Sequence, residues 1–137
     1  MHATTVAIDG KGVVIVGPSG SGKSSLALQL IAHGADLVAD DRTQIEQRDR
    51  VLVATAPPAI KDMIEARGVG IVKVTSVGPT PIGLVVDLSQ QEKQRLPDQH
   101  RHSILGVQLP CLHNAPSPHF ATAIWLYVNS TLDMSYD

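Results

Sequence analysis

The stretch Gly17-Pro18-Ser19-Gly20-Ser21-Gly22-Lys23-Ser24 constrains this chain more than any other. It follows an apolar run, Val13 to Val16, and leads into Ser25-Leu26-Ala27-Leu28-Gln29-Leu30-Ile31-Ala32. This is the pattern G-x-x-x-x-G-K-[ST] in the strand–loop–helix setting that a phosphate-binding loop requires. Glycines let the backbone N–H groups wrap a row of phosphates, and the helix N-terminus adds a favourable dipole. Lys23 then reaches the terminal phosphates, and Ser24 offers its hydroxyl to Mg²⁺. The pattern predicts binding of a nucleotide or another polyphosphate and leaves the chemistry open.

The flanking segments predict a mixed α/β fold. Val6-Ala7-Ile8 and Val13 to Val16 enclose Asp9-Gly10-Lys11-Gly12, a hairpin turn that gives the loop's strand an antiparallel neighbour and holds His2 near the loop. After the loop, Leu26, Ala27, Leu30 and Ile31 recur at helical spacing and stop at Gly34. Leu37-Val38-Ala39, Val51 to Ala54, Ile71 to Val74, Leu84 to Val86 and Ile104 to Leu109 read as strands, Gly78-Pro79-Thr80-Pro81 as a loop, Ala59 to Arg67 as a helix, and Phe120 to Val128 as a helix or a closing strand, the helix being favoured. The polar stretch from Ser89 to His102 reads as exposed. At 137 residues, 43% hydrophobic and 18% charged, residues 1–137 are expected to form one domain with a single core. A net charge of −2 gives no bias toward nucleic acid or anionic membrane. Neither a membrane-length apolar run nor a signal-peptide pattern is visible, and the single Cys111 excludes an internal disulfide, so a cytoplasmic location is expected. Cys111, within Leu109-Pro110-Cys111-Leu112, reads as a packed thiol rather than a nucleophile.

Phosphotransfer also needs groups that handle the acceptor. Asp40-Asp41 ends a buried strand, and an apolar run ending in aspartate commonly supplies a Mg²⁺ contact beside a phosphate loop. Two adjacent carboxylates can divide the work, one on Mg²⁺ or its waters and the other accepting a proton from a hydroxyl. Asp87, ending Leu84-Val85-Val86, is a competing metal-side aspartate whose simpler reading is a strand-end residue. In Glu65-Ala66-Arg67-Gly68-Val69-Gly70-Ile71 a carboxylate and a guanidinium stand where they can complete a Mg²⁺ shell and position a phosphate. His100, His102, His113 and His119 lack the spacing and companion ligands of a Zn²⁺ site and read as solvated. Arg95 reads as part of a charged face, with closure over a transferring phosphate as its functional alternative.

Together, His2 ahead of the hairpin, the loop Gly17–Ser24, Leu37-Val38-Ala39-Asp40-Asp41-Arg42 and the Glu65–Ile71 block resemble the catalytic domain of the HPr kinase/phosphorylase family. The match runs from about residue 2 to residue 77 and thins to Arg95-Leu96. The resemblance implies a phosphate-loop α/β fold with a mixed, partly antiparallel sheet, similar to phosphoenolpyruvate carboxykinase. It implies ATP and Mg²⁺ as cofactors, a serine of the HPr-type phosphocarrier of the sugar phosphotransferase system as acceptor, reverse phosphorolysis yielding pyrophosphate, and a hexameric homo-oligomer. By position Asp41 matches the base toward serine, Ser24 and Glu65 the Mg²⁺ contacts, and His2, Lys23 and Arg95 catalytic residues. Residues Gly17, Pro18, Ser19, Gly20, Ser21, Gly22, Lys23 and Ser24 match the nucleotide cradle. Two departures stand out. The chain resembles the short forms that begin at the catalytic core, and a Gly-Arg-Asn block associated with dephosphorylation has no arginine counterpart near Leu109–Pro116. The alternatives are a nucleotide-responsive regulatory module with little turnover and a small-molecule kinase.

Overall fold

The computed structural model describes residues 1–58 and 62–130. Strand β1, Ala3–Ile8, and strand β2, Lys11–Val16, pair antiparallel with Ile8 opposite Lys11 and Ala3 opposite Val16. The turn between them places Asp9 at φ 51° and Gly10 at φ 75°, the two positive values a two-residue hairpin turn of matching twist requires. The expected hairpin is therefore present, with a tighter turn.

Helix α1, Lys23–Ala32, follows the loop, and β3, Asp36–Ala39, returns antiparallel to β1. Strands β4, Gln44–Arg48, and β5, Val51–Thr55, form a hairpin, as do β6, Met63–Ala66, and β7, Gly70–Lys73. Strand β8, Thr80–Gln91, runs parallel to β2 and to β10, Val107–Asn114, while β9, His100–Ile104, pairs antiparallel with β10. The main sheet has the order β3-β1-β2-β8-β10-β9, with β5 and then β4 attached at the start of β8. Helix α2, Phe120–Ser130, completes the described fold. The sheet is mixed and partly antiparallel, as expected, and the ambiguous segment after Pro118 is helical.

Both faces of the sheet centre are covered, which explains its unbroken apolar runs. Val6, Ile8, Val13, Ile15, Leu84 and Val86 pack against Leu26, Ala27 and Leu30 of α1 and Ala121, Ile124 and Val128 of α2. On the other side the alternate residues Val14, Ile82 and Val85 cluster with Leu52 and Ala54 of β5 and with Ile104 and Leu109 of β9 and β10. Each fully buried side chain of this kind contributes about 1.5–3 kcal/mol relative to exposure. The second helix is tied down at its end as well, where Lys11 Nζ donates to the Val128 carbonyl at 3.1 Å, a cation at a helix C-terminus.

Two expectations are corrected. The helix expected over Ala59 to Arg67 is not formed in its described part; residues 59–61 lie outside the described residues, and Met63–Ala66 is a strand. Its residues favour helices by composition, but Met63 and Glu65 are exposed and Ile64 and Ala66 buried, a period of two that only a strand satisfies. The strand expected over Ile104 to Leu109 is instead the junction of β9 and β10. Leu105 at φ 50° and Gly106 at φ 79° make the turn between them. Residues 80, 81, 89–91 and 100–102, read as loop or exposed stretch, also belong to strands.

Candidate functional site

The carboxyl end of β2 passes directly into the glycine-rich loop. Gly17 has φ 151°, Gly20 φ 81° and Gly22 φ 100°, and Gly22 caps α1 by accepting from Leu26 N–H at 2.9 Å. A Cβ on Gly17 would stand 2.6 Å from Ser21 Oγ and 3.2 Å from Leu88 Cβ, so the loop closes on itself only with glycine there. Lys23 is buried, and its ammonium donates to the carbonyls of Gly17 at 3.0 Å and Pro18 at 3.2 Å, which hold the charge across the loop. No acidic residue occupies the first turn of α1. The positive end of the helix and Lys23 therefore face the loop uncompensated by a first-turn carboxylate.

Beside the loop, β3 delivers Asp40 and Asp41. Asp40 Oδ1 accepts from Ser24 Oγ at 2.6 Å and from Thr4 Oγ1 at 3.0 Å, and its Oδ2 accepts from the Glu65 N–H at 3.0 Å. One carboxylate thus joins the loop, β1 and the β6–β7 hairpin. Thr4 Oγ1 also accepts from the Asp41 N–H at 3.1 Å, fixing the next peptide. Asp41 adopts φ 65°, a left-handed conformation that aspartate tolerates better than most residues. This conformation turns Asp41 away from the path of β3. His2 Nε2 lies 2.6 Å from Asp41 Oδ1, both side chains being about half exposed or more. Thr43 holds the approach to β1: its N–H donates to the Met1 carbonyl at 2.9 Å, and its hydroxyl to that of Ala3 at 2.9 Å.

One cleft of about 550 Å³ opens here, lined among others by His2, Lys23, Ser24, Asp41, Glu65 and Arg67; Asp40 stands behind it, bonded to Ser24. The strand conformation of β6 matters here. Glu65 on the strand and Arg67 in the turn that follows it both reach the cleft. The oxygen donors beside the loop, the Ser24 hydroxyl with the Asp40 and Glu65 carboxylates, suit a hard cation such as Mg²⁺. Ser21 Oγ is buried with no hydrogen-bond partner within the described protein. A buried orphan hydroxyl in a loop of this kind fits a phosphate oxygen as its missing partner.

Two sequence candidates lie elsewhere. Asp87 is opposite Val16, but its Oδ1 accepts from the Ser89 N–H at 2.9 Å and the Ser89 hydroxyl at 2.5 Å, and it does not line the cleft. It lies inside β8 rather than at a strand end, because the strand runs on to Gln91. Arg95 is exposed on the bend between β8 and β9 and does not line the cleft either. Conversely, Thr4 escaped the sequence reading. Its signal was faint: Thr4 and Thr5 are a pair of hydroxyls in an otherwise apolar strand, and both are buried.

A family model described as the HPr serine kinase C-terminal domain matches residues 1–114. The HPr kinase/phosphorylase of Limosilactobacillus reuteri is 46% identical over 78 residues, which cover 56% of this chain and 24% of that protein. That of Latilactobacillus sakei is 40% identical over 123 residues, covering 80% of this chain and 39% of the relative. The chain thus spans about a quarter to two fifths of the length of the curated relatives it matches. Among solved structures, the HPr(Ser) kinase/phosphatase from Coxiella burnetii superposes with a TM-score of 0.80 at 29% identity, covering 93% of this chain and 87% of the other.

Proposed function

The chain belongs to the HPr serine kinase C-terminal domain family, and from that premise we propose that it is a Mg²⁺- and ATP-dependent kinase for a serine of an HPr-type phosphocarrier. The observation that carries the reading is the meeting, in one cleft, of a phosphate loop, of Ser24 backed by Asp40, and of Asp41 held by His2.

In this mechanism the backbone N–H groups of residues 19–24 and the Lys23 ammonium bind the phosphates of ATP. Ser21 Oγ gains a phosphate oxygen as partner. Mg²⁺, when bound, neutralises phosphate charge and is held from the side of Ser24, Asp40 and Glu65. Arg67 adds a guanidinium facing the transferring group. Asp41 orients the acceptor serine and takes its hydroxyl proton as the new O–P bond forms. The bond from the γ-phosphorus to the bridging oxygen breaks, and ADP leaves with its charge balanced by Lys23. His2 keeps the Asp41 carboxylate aimed at the acceptor. In the reverse direction Asp41 returns the proton to serine while inorganic phosphate accepts the phosphoryl group as pyrophosphate. The location that fits this work is the cytoplasm, where nucleotide and carrier are both found; among the described residues no helix is long and apolar enough to cross a membrane.

Binding and turnover separate in a two-variant experiment. Ser24→Ala is expected to weaken binding of Mg²⁺–ATP relative to ATP alone, measured by calorimetry. Asp41→Asn is expected to bind Mg²⁺–ATP normally and to transfer nothing measurable. Identical Mg²⁺–ATP affinity in wild type and Ser24→Ala would contradict the assignment of Ser24.

A further inference from the structure

A second cluster of chemically active side chains stands apart from the phosphate cleft. It sits where β8 ends, β9 begins and β10 ends. Glu92 Oε1 lies 2.8 Å from His100 Nε2. The His100 and His113 rings stack with centroids 3.8 Å apart and planes 9° apart. One ligand atom from each of Glu92, His100 and His113 falls within 4.8 Å of the others. We propose that Glu92, His100 and His113 form a three-ligand site for a divalent transition cation of the Zn²⁺ class, separate from the Mg²⁺ position at the phosphate loop.

Chemistry, preorganisation and topology each support the site. Two imidazoles and one carboxylate make a donor set for Zn²⁺, Fe²⁺, Co²⁺ or Ni²⁺, whereas Mg²⁺ and Ca²⁺ favour oxygen alone. Three protein ligands leave at least one coordination position for water. The carboxylate is also held in place. Glu92 Oε2 accepts from the Lys93 N–H at 3.0 Å and the Gln94 N–H at 3.1 Å, while the Glu92 N–H donates to the Asn114 carbonyl at 2.8 Å. These bonds occupy one oxygen and leave Oε1 directed at His100, the outer-shell support that ligating carboxylates commonly have. The Glu92 side chain is only 12% exposed and that of His100 28%, so the donors are sheltered but reachable.

Stacked imidazoles direct their nitrogen lone pairs side by side rather than at one point. A shared cation therefore requires one or both rings to tilt about χ2, a torsion with a broad, soft profile in histidine. Tilting brings ligand atoms to the separations of about 3–3.5 Å that metal–ligand bonds of about 2.0–2.2 Å impose. The absence of recognisable spacing in the sequence has a simple cause. Glu92 and His100 flank the 93–99 loop, and His113 arrives from the neighbouring strand. Occupancy clips the two ends of that loop to β10, and Arg95 rides on it.

The test uses the full chain without nucleotide. Zinc chloride is titrated by calorimetry and by side-chain ¹H–¹⁵N spectra of the histidines. The expected result is one equivalent that moves the His100 and His113 nitrogen signals and leaves His33 and His119 in place. His100→Gln and His113→Gln should each weaken binding by about ten- to a hundredfold, while Asp41→Asn, which alters only the phosphate cleft, should bind as wild type does. The wild-type spectra require no variant to fold. Absence of saturable binding, movement of the His2 signal alone, or equal affinity of wild type and His113→Gln would overturn the proposal. None of these readouts depends on phosphotransfer, so failure here leaves the kinase reading standing, and the reverse holds too.

Discussion

At the residue scale, Asp41 combines a special backbone conformation with an exposed carboxylate. Asparagine accepts φ 65° as readily as aspartate, whereas alanine does so at a cost of about 1 kcal/mol. Urea unfolding should therefore rank Asp41→Asn level with wild type and Asp41→Ala below it by about that amount. The His2–Asp41 contact is too exposed to add much stability. Transfer activity should not follow the same order: both variants lose the proton acceptor and should fall by about 10⁴-fold, below detection. An Asp41→Asn protein that turns over normally would remove Asp41 from the chemistry. Cys111 offers a contrasting case. It is 5% exposed, and its pKa is raised to about 11 by burial, with the Asp87 charge second. Alkylation of the folded protein by iodoacetamide at neutral pH should be slow and should accelerate on unfolding, as a packed thiol requires. The loop and Asp40-Asp41 were legible in the sequence because each is a contiguous pattern whose chemistry follows from residue types. Thr4 was not, since its significance lies in a contact made only on folding, with Asp40 across the β1–β3 pair.

At the element scale, the β6–β7 hairpin decides the shape of the cleft. Ile64 is 1% exposed and anchors the hairpin in the helix-side core, while Glu65 beside it faces the cleft. Ile64→Ala should lower the unfolding free energy by about 2–5 kcal/mol and weaken Mg²⁺–ATP binding by loosening Glu65 and Arg67; calorimetry on the folded fraction checks the second effect. Gly17→Ala should cost about 1–3 kcal/mol through the contacts with Ser21 and Leu88, with loss of nucleotide binding. This hairpin was the principal misreading. Met, Glu, Ala and Arg favour helices individually, but the alternation of buried and exposed positions carried the correct answer. Strand β4 was invisible for a different reason. Its residues are mostly exposed, so an edge strand of this kind leaves no apolar alternation to read.

At the scale of the whole molecule, the parallel strands β2, β8 and β10 end on one side, where the phosphate loop and the Glu92–His100–His113 cluster both lie. Sites at the carboxyl ends of parallel strands are the general outcome of such sheets. The centre of the sheet is covered on both faces, so hydrogen exchange should be slowest in β2 and β8 and faster in β4 and the β6–β7 hairpin. The fold class could be read from the sequence because the buried strands and α1 carry strong periodic patterns, while the pairing order rests on contacts distant in sequence. The most direct test of the central claim is intact-mass spectrometry of a purified HPr-type carrier after incubation with this chain and Mg²⁺–ATP. The account predicts a gain of one phosphoryl group on a serine, dependent on Mg²⁺ and absent with Asp41→Asn. An unmodified carrier under conditions where the chain binds Mg²⁺–ATP would contradict it.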